Sequence, residues 1–119
     1  MPQRYHGSCH CGAIKFDFES KEISSGLRCS CSVCSRKGAM MNPEAIPPGG
    51  LNLEANENDV GLYQFGSKVA KHYFCNNCGI YTHNEMLRMP GHFRVNLGCI
   101  EELDSSDFEI RIFDGKNLL

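Results

Sequence analysis

Eight cysteines in 119 residues constrain this chain more than any other feature. They are Cys9, Cys11, Cys29, Cys31, Cys34, Cys75, Cys78 and Cys99, and seven of the eight lie within three positions of another cysteine. Isolated buried thiols behave as small hydrophobes and need no such clustering. Disulfides need an oxidising compartment, and the opening Met-Pro-Gln-Arg-Tyr-His carries no apolar leader segment that would direct export. A reducing, cytoplasmic setting is therefore the expectation. Metal ligation is the reading that accounts for the spacings.

Cys9-His10-Cys11 is a Cys-x-Cys. Read as extended chain, it directs both sulfurs to one side and His10 to the other. Cys75-Asn76-Asn77-Cys78-Gly79 reads as a knuckle, a turn that aims two thiolates at one point, with Gly79 supplying the crowded conformation. Two sulfurs from each half make the four that zinc takes in a closed tetrahedral site. Such a site would join segments with 63 residues between Cys11 and Cys75.

The third cluster, Cys29-Ser30-Cys31-Ser32-Val33-Cys34, offers three thiolates from six consecutive residues. Three protein ligands with one position left open is how catalytic zinc is usually held, and the spacing favours that reading. In the rival reading Cys99 closes the site as a fourth ligand; it can also be a plain buried thiol. The strict spacings of iron–sulfur proteins are absent.

Composition narrows the rest. A chain of this length is expected to form one domain over residues 1–119, and 41% hydrophobic residues are ordinary for a globular protein. Twelve basic against fourteen acidic residues give a net charge of −2, which argues against a nucleic-acid partner. No apolar run is long enough to span a membrane. Alternation of apolar and charged residues predicts a strand over Ala13–Glu19, with further strands at 51–54, 61–65, 69–74, 80–84, 93–97 and 109–113. Gly66-Ser67 would turn the third of these into the fourth. Ser32–Gly38 predicts a single helical turn, Ala39–Asn42 an extended segment, and Pro43–Gly50 a loop. The sum is a mainly β, antiparallel domain tied by metal.

Gly7-Ser-Cys9-His-Cys11-Gly12-Ala-Ile-Lys-Phe16, Cys29-Ser-Cys31-Ser-Val-Cys34, Tyr73-Phe74-Cys75-Asn-Asn-Cys78-Gly79 and Val95-Asn96-Leu97-Gly98 together resemble the glutathione-dependent formaldehyde-activating enzyme family. The same domain occurs in centromere protein V. The resemblance spans about residues 5 to 100. It implies a structural zinc on Cys9, Cys11, Cys75 and Cys78, and a second zinc on Cys29, Cys31 and Cys34 with a position for a substrate thiol. The implied activity is that of a carbon–sulfur lyase joining glutathione and formaldehyde as S-hydroxymethylglutathione, with glutathione or another small thiol as partner. A second hypothesis is a zinc-stapled protein-binding module with both sites structural. A third is a thiol sensor that releases zinc on oxidation of Cys29, Cys31 and Cys34.

Around the second cluster, Arg36 and Lys37 are candidates to meet a substrate carboxylate, set against a solvated basic loop. His83 is a candidate proton shuttle or exchangeable ligand, set against an ordinary surface or supporting histidine. His72 reads as cover for the sheet. Asp59, Tyr63 and Tyr81 carry no placement from sequence, and Glu101, Glu102 and Asp104 read as a solvated loop.

Overall fold

In a computed structural model, which describes residues 2–64, 70–86, 89–104 and 108–115, the first sheet is built on aromatic side chains that point inward. β1 (Gln3–Ser8) and β2 (Lys15–Ser20) pair antiparallel, with Tyr5 opposite Phe18 and Gly7 opposite Phe16. Tyr5, Phe16 and Phe18 are buried, while Arg4, His6 and Lys15 face solvent. Gly7 is glycine for a steric reason: a Cβ there would lie 2.2 Å from the Phe16 ring. β4 (Asn52–Glu54) adds a third, exposed strand beside β2.

A second sheet of four antiparallel strands runs β5 (Val60–Tyr63), β6 (Lys71–Cys75), β7 (Tyr81–Glu85) and β8 (Phe93–Val95) in order, with a bulge between Tyr73 and Phe74. The main core is formed by Tyr5, Phe16, Phe18, Ile23, Ile46, Val95, Leu97 and Ile100, drawn from both sheets and the loops that join them. The remaining pair is parallel: β3 (Ser25–Cys29) runs alongside β9 (Glu109–Phe113) from Ser25 opposite Glu109 to Cys29 opposite Phe113. α1 (Ser32–Lys37) follows and ends on Gly38, whose φ of 65° lets its N–H close on the Cys34 carbonyl at 3.1 Å. Met41 then exchanges two 2.8 Å backbone bonds with Leu27, which fixes the cysteine loop between β3 and the segment after α1.

The mainly β reading holds, and the expected strands and the helical turn are present with small shifts. Several features depart from it. Neither β1 nor β3 was anticipated, and the β3·β9 pair is parallel rather than antiparallel. Ala13 and Ile14 lie outside β2, because the Ile14 carbonyl accepts the Cys9 N–H at 3.0 Å in a turn. Within the Pro43–Gly50 loop, Ile46 is buried and trades backbone bonds with Phe93 at 2.8 and 2.9 Å. The Gly66-Ser67 turn lies outside the described residues. No helix among the described residues is long and apolar enough to cross a membrane.

One surface clasp ties β1 to the chain after Leu97. Glu102 accepts from the His6 backbone N–H at 2.8 Å and meets its Nδ1 at 2.5 Å. The hydrogen bond to Glu102 raises the His6 pKa above its ordinary 6.5; at Glu102, burial is outweighed by the bonds from His6, so its pKa falls below 4.5. The raised His6 value means that its contribution is complete below 6.5 and lost as pH climbs through the folded value. The lowered Glu102 value means that its contribution is present above 4.5 and lost as pH falls through the folded value. Stability from this pair should therefore peak in mildly acidic solution. Thermal melts at pH 6 and pH 8 should show a smaller difference for Glu102→Gln than for the parent, and an unchanged difference would remove the clasp from the account.

Candidate metal centres and the cavity beside one of them

Two turns of the same construction bring four thiols together. In one, the Cys9 N–H reaches the Ile14 carbonyl, the Ile14 N–H reaches the Cys9 Sγ at 3.3 Å, and Gly12 takes a φ of 85°. In the other, the Cys75 N–H reaches the Ile80 carbonyl at 3.0 Å, Asn77 and Cys78 donate to the Cys75 Sγ at 3.3 and 3.4 Å, and Gly79 takes a φ of 79°. Cys9-His10-Cys11 is thus a knuckle-like turn and not the extended segment expected, although His10 is exposed as expected. The four Sγ atoms lie within 4.8 Å of one another, with Cys9–Cys11 and Cys11–Cys75 both at 3.6 Å. Sulfurs bound tetrahedrally at ~2.3 Å are separated by about 3.8 Å, so this set fits a zinc-sized ion. The backbone N–H groups of Ile80 and Cys11 pull the Cys78 thiol down to about 6, whereas at Cys75 the N–H of Cys78 is outweighed by burial and the neighbouring sulfurs, and its thiol rises to about 11.

The second group, Cys29, Cys31 and Cys34, also converges within 4.8 Å. Cys29 ends β3, Cys31 precedes α1 in an extended conformation, and Cys34 sits in its first turn. β9 holds this loop from behind: the Ser30 N–H donates to the Phe113 carbonyl at 2.9 Å, and Ser35 Oγ donates to the Ser30 carbonyl at 3.0 Å. Gly115 packs so closely that a Cβ there would be 2.3 Å from the Cys29 Sγ. Burial pushes the Cys34 thiol up to about 12 and raises Cys29. At Cys31 burial is outweighed by hydrogen bonds, first from the Cys34 N–H. Three thiols this crowded ionise together only beside a cation.

The two clusters differ in what lies next to them. Cys29, Cys31 and Cys34 line a cavity of about 630 Å³, and none of Cys9, Cys11, Cys75 or Cys78 does. Its walls include Leu27, Val33, Met41, Met86, Met89 and Phe113. A cross-strand row also lines it, His72 on β6 opposite Asn84 on β7 opposite Arg94 on β8. Asn84 Oδ1 is buried and has no hydrogen-bond partner among the described residues. Arg94 donates to the Asn42 and Pro43 carbonyls at 2.7 and 2.9 Å.

A sequence profile of the glutathione-dependent formaldehyde-activating enzyme family matches residues 4–115. The chain belongs to that family. A crystal structure of a Rhodobacter sphaeroides protein, a structural-genomics target, superposes with a TM-score of 0.75 at 32% identity, covering 89% of this chain and 99% of that one. This member of the formaldehyde-activating family also carries a polar chain behind its cavity wall that the sequence did not reveal. Lys37 turns inward from α1, donates to the Tyr81 hydroxyl at 2.8 Å and lies 3.9 Å over that ring. The same hydroxyl lies 2.9 Å from His72 Nδ1, so Lys37, Tyr81 and His72 form one hydrogen-bonded chain. Burial, then Lys37, pushes His72 down to about 4, so it is neutral at neutral pH.

Several expectations change here. Lys37 is not part of a solvated loop, whereas Arg36 is exposed and bonds the Ser32 carbonyl at 2.8 Å. His83 is neither a surface group nor a shuttle at the cavity. It is 2% exposed, stacks on Tyr73 at 4.6 Å, and is pushed down to about 4 by burial. Cys99 belongs to neither cluster: its Sγ lies 3.8 Å from the Tyr81 carbonyl, and burial raises its thiol to about 11. Tyr63 is half exposed, and the Asp59 carbonyl accepts the Asn76 N–H at 2.9 Å beside the second knuckle. Asn84 and Arg94 were missed outright. Alternation along β7 and β8 was legible, but which strands would align them with His72 was not.

Proposed function

We propose that this protein is a zinc-dependent, carbon–sulfur lyase-type enzyme that makes or breaks the adduct of a thiol with an aldehyde, with glutathione or another small thiol as substrate. In this reading Cys9, Cys11, Cys75 and Cys78 hold a structural zinc. Cys29, Cys31 and Cys34 hold a second, whose fourth position takes the substrate thiol. The observation that carries the reading is the cavity, which opens on the three-thiol cluster and not on the four-thiol one. The position of Cys99 outside both clusters weighs against the alternative of two closed sites in a protein-binding module.

Zinc bound at the second cluster would favour the thiolate form of the incoming thiol. The rest falls to the chain. The largely apolar walls give the carbon end of the adduct a surface to pack against. As the adduct forms, the sulfur bonds to the carbonyl carbon and the C=O π pair moves to oxygen. The thiol proton ends on that oxygen, and nothing is oxidised or reduced. The adduct therefore carries a new hydroxyl, and Asn84 is among the polar residues that line the cavity. Thiols add to formaldehyde readily unaided, so positioning is the main contribution. Exchange NMR with ¹³C-formaldehyde and a thiol measures interconversion of free and adduct forms directly. The protein should accelerate it over the buffer rate with glutathione or with a simple thiol, and acceleration with neither would sink the proposal.

A further inference from the structure

We infer that the thiol this cavity accepts has an uncharged, apolar body, an alkyl or aryl thiol in preference to glutathione. The inference rests on the thiol–aldehyde reading above. Its first support is charge. Two positive charges on zinc and three thiolates sum to −1, and a fourth thiolate from the substrate makes −2. Lys37 and Arg94, the two cations among the described lining residues, supply +2 and bring the assembly to zero. Among the described lining residues, any further charge on the ligand body would meet no counter-charge, which is costly in a largely apolar cavity.

Its second support is how those cations are held. Lys37 is tied to the Tyr81 hydroxyl and lies over its ring, and Arg94 is tied to two backbone carbonyls. They are fixed charges built into the wall. No Asp or Glu lines the cavity among the described residues. Among these residues the ammonium of glutathione would find two cations and no carboxylate, and its two carboxylates would compete with the thiolates for the same cations. The third support is the wall itself. Leu27, Val33, Met41, Met86, Met89 and Phe113 offer contact to an alkyl or aryl group, and methionines adapt to such groups readily.

Calorimetric titration of the zinc-loaded protein with 2-phenylethanethiol, glutathione and ethylbenzene tests this, with zinc content checked before and after. The aryl thiol should bind at least tenfold more tightly than glutathione, and ethylbenzene, which lacks the sulfur, more weakly than the aryl thiol. Glutathione binding as tightly as the aryl thiol would overturn the inference and leave the thiol–aldehyde reading standing. Binding of neither thiol would overturn both. In a Lys37→Met variant that retains its zinc, affinity for the aryl thiol should fall at least fivefold; unchanged affinity would overturn the charge-balance argument even if the preference persisted.

Discussion

Replacing Cys75 with serine should remove one bound metal ion and with it most of the domain's thermal stability. Cys75 is fully buried, its Sγ receives two backbone N–H groups, and it stands 64 residues from the Cys11 sulfur it faces at 3.6 Å. Closing a loop of that length is worth about 4 kcal/mol in the chain-entropy model, against a total of roughly 5–15 kcal/mol for an ordinary domain. The apolar cluster at this end is small, Ile14 with the thiols of Cys9 and Cys75, so little else holds the two turns together. The expected drop in Tm is roughly 15 °C or more, with one fewer zinc by mass spectrometry. A Cys99→Ser control should keep the parent metal content, since its sulfur joins neither cluster. Cys75→Ser melting as the parent does would end the assignment of Cys9, Cys11, Cys75 and Cys78 as a stabilising clip.

The cysteine spacings made both clusters legible because ligand geometry is local: each half-site is a turn of a few residues, and the glycine after Cys11 or Cys78 marks it. Most strands were legible from alternation for the same reason. β1 was not, because its inward positions are Tyr5 and Gly7, and a glycine chosen to clear Phe16 erases the apolar signal. The parallel β3·β9 pair joins distant segments, and nothing in either says what its partner is. Lys37 failed for a related reason. A basic residue at the end of a helix reads as solvated, and only the placement of Tyr81 on β7 shows that its ammonium is held indoors. For His83 the reading as a supporting histidine rather than a shuttle fits, but sequence could not tell a surface position from a buried one, and Tyr73, Phe16 and Phe93 enclose it.

Cys31→Ser should separate chemistry from stability in a way that Cys75→Ser cannot. The three thiols at Cys29, Cys31 and Cys34 come from one short loop, whose closure is worth only about 2 kcal/mol in the same chain-entropy model. That loop is also held without them: the Ser30 N–H bonds Phe113, Ser35 Oγ bonds the Ser30 carbonyl, and β3 runs paired along β9. The variant should therefore fold, with a Tm loss well below that of Cys75→Ser. Its second ion should be lost or loosely held, since serine is a poor replacement for a thiolate at neutral pH. The anchor that positions the substrate sulfur goes with it, so thiol–aldehyde exchange should fall to near the buffer rate. Binding of 2-phenylethanethiol should fall toward that of ethylbenzene, because the cavity walls remain while the sulfur's anchor does not. A folded Cys31→Ser protein with parent rates would place the chemistry elsewhere in the molecule. One that keeps two tightly held ions would show that Cys29 and Cys34 suffice, and that Cys31 is not a ligand.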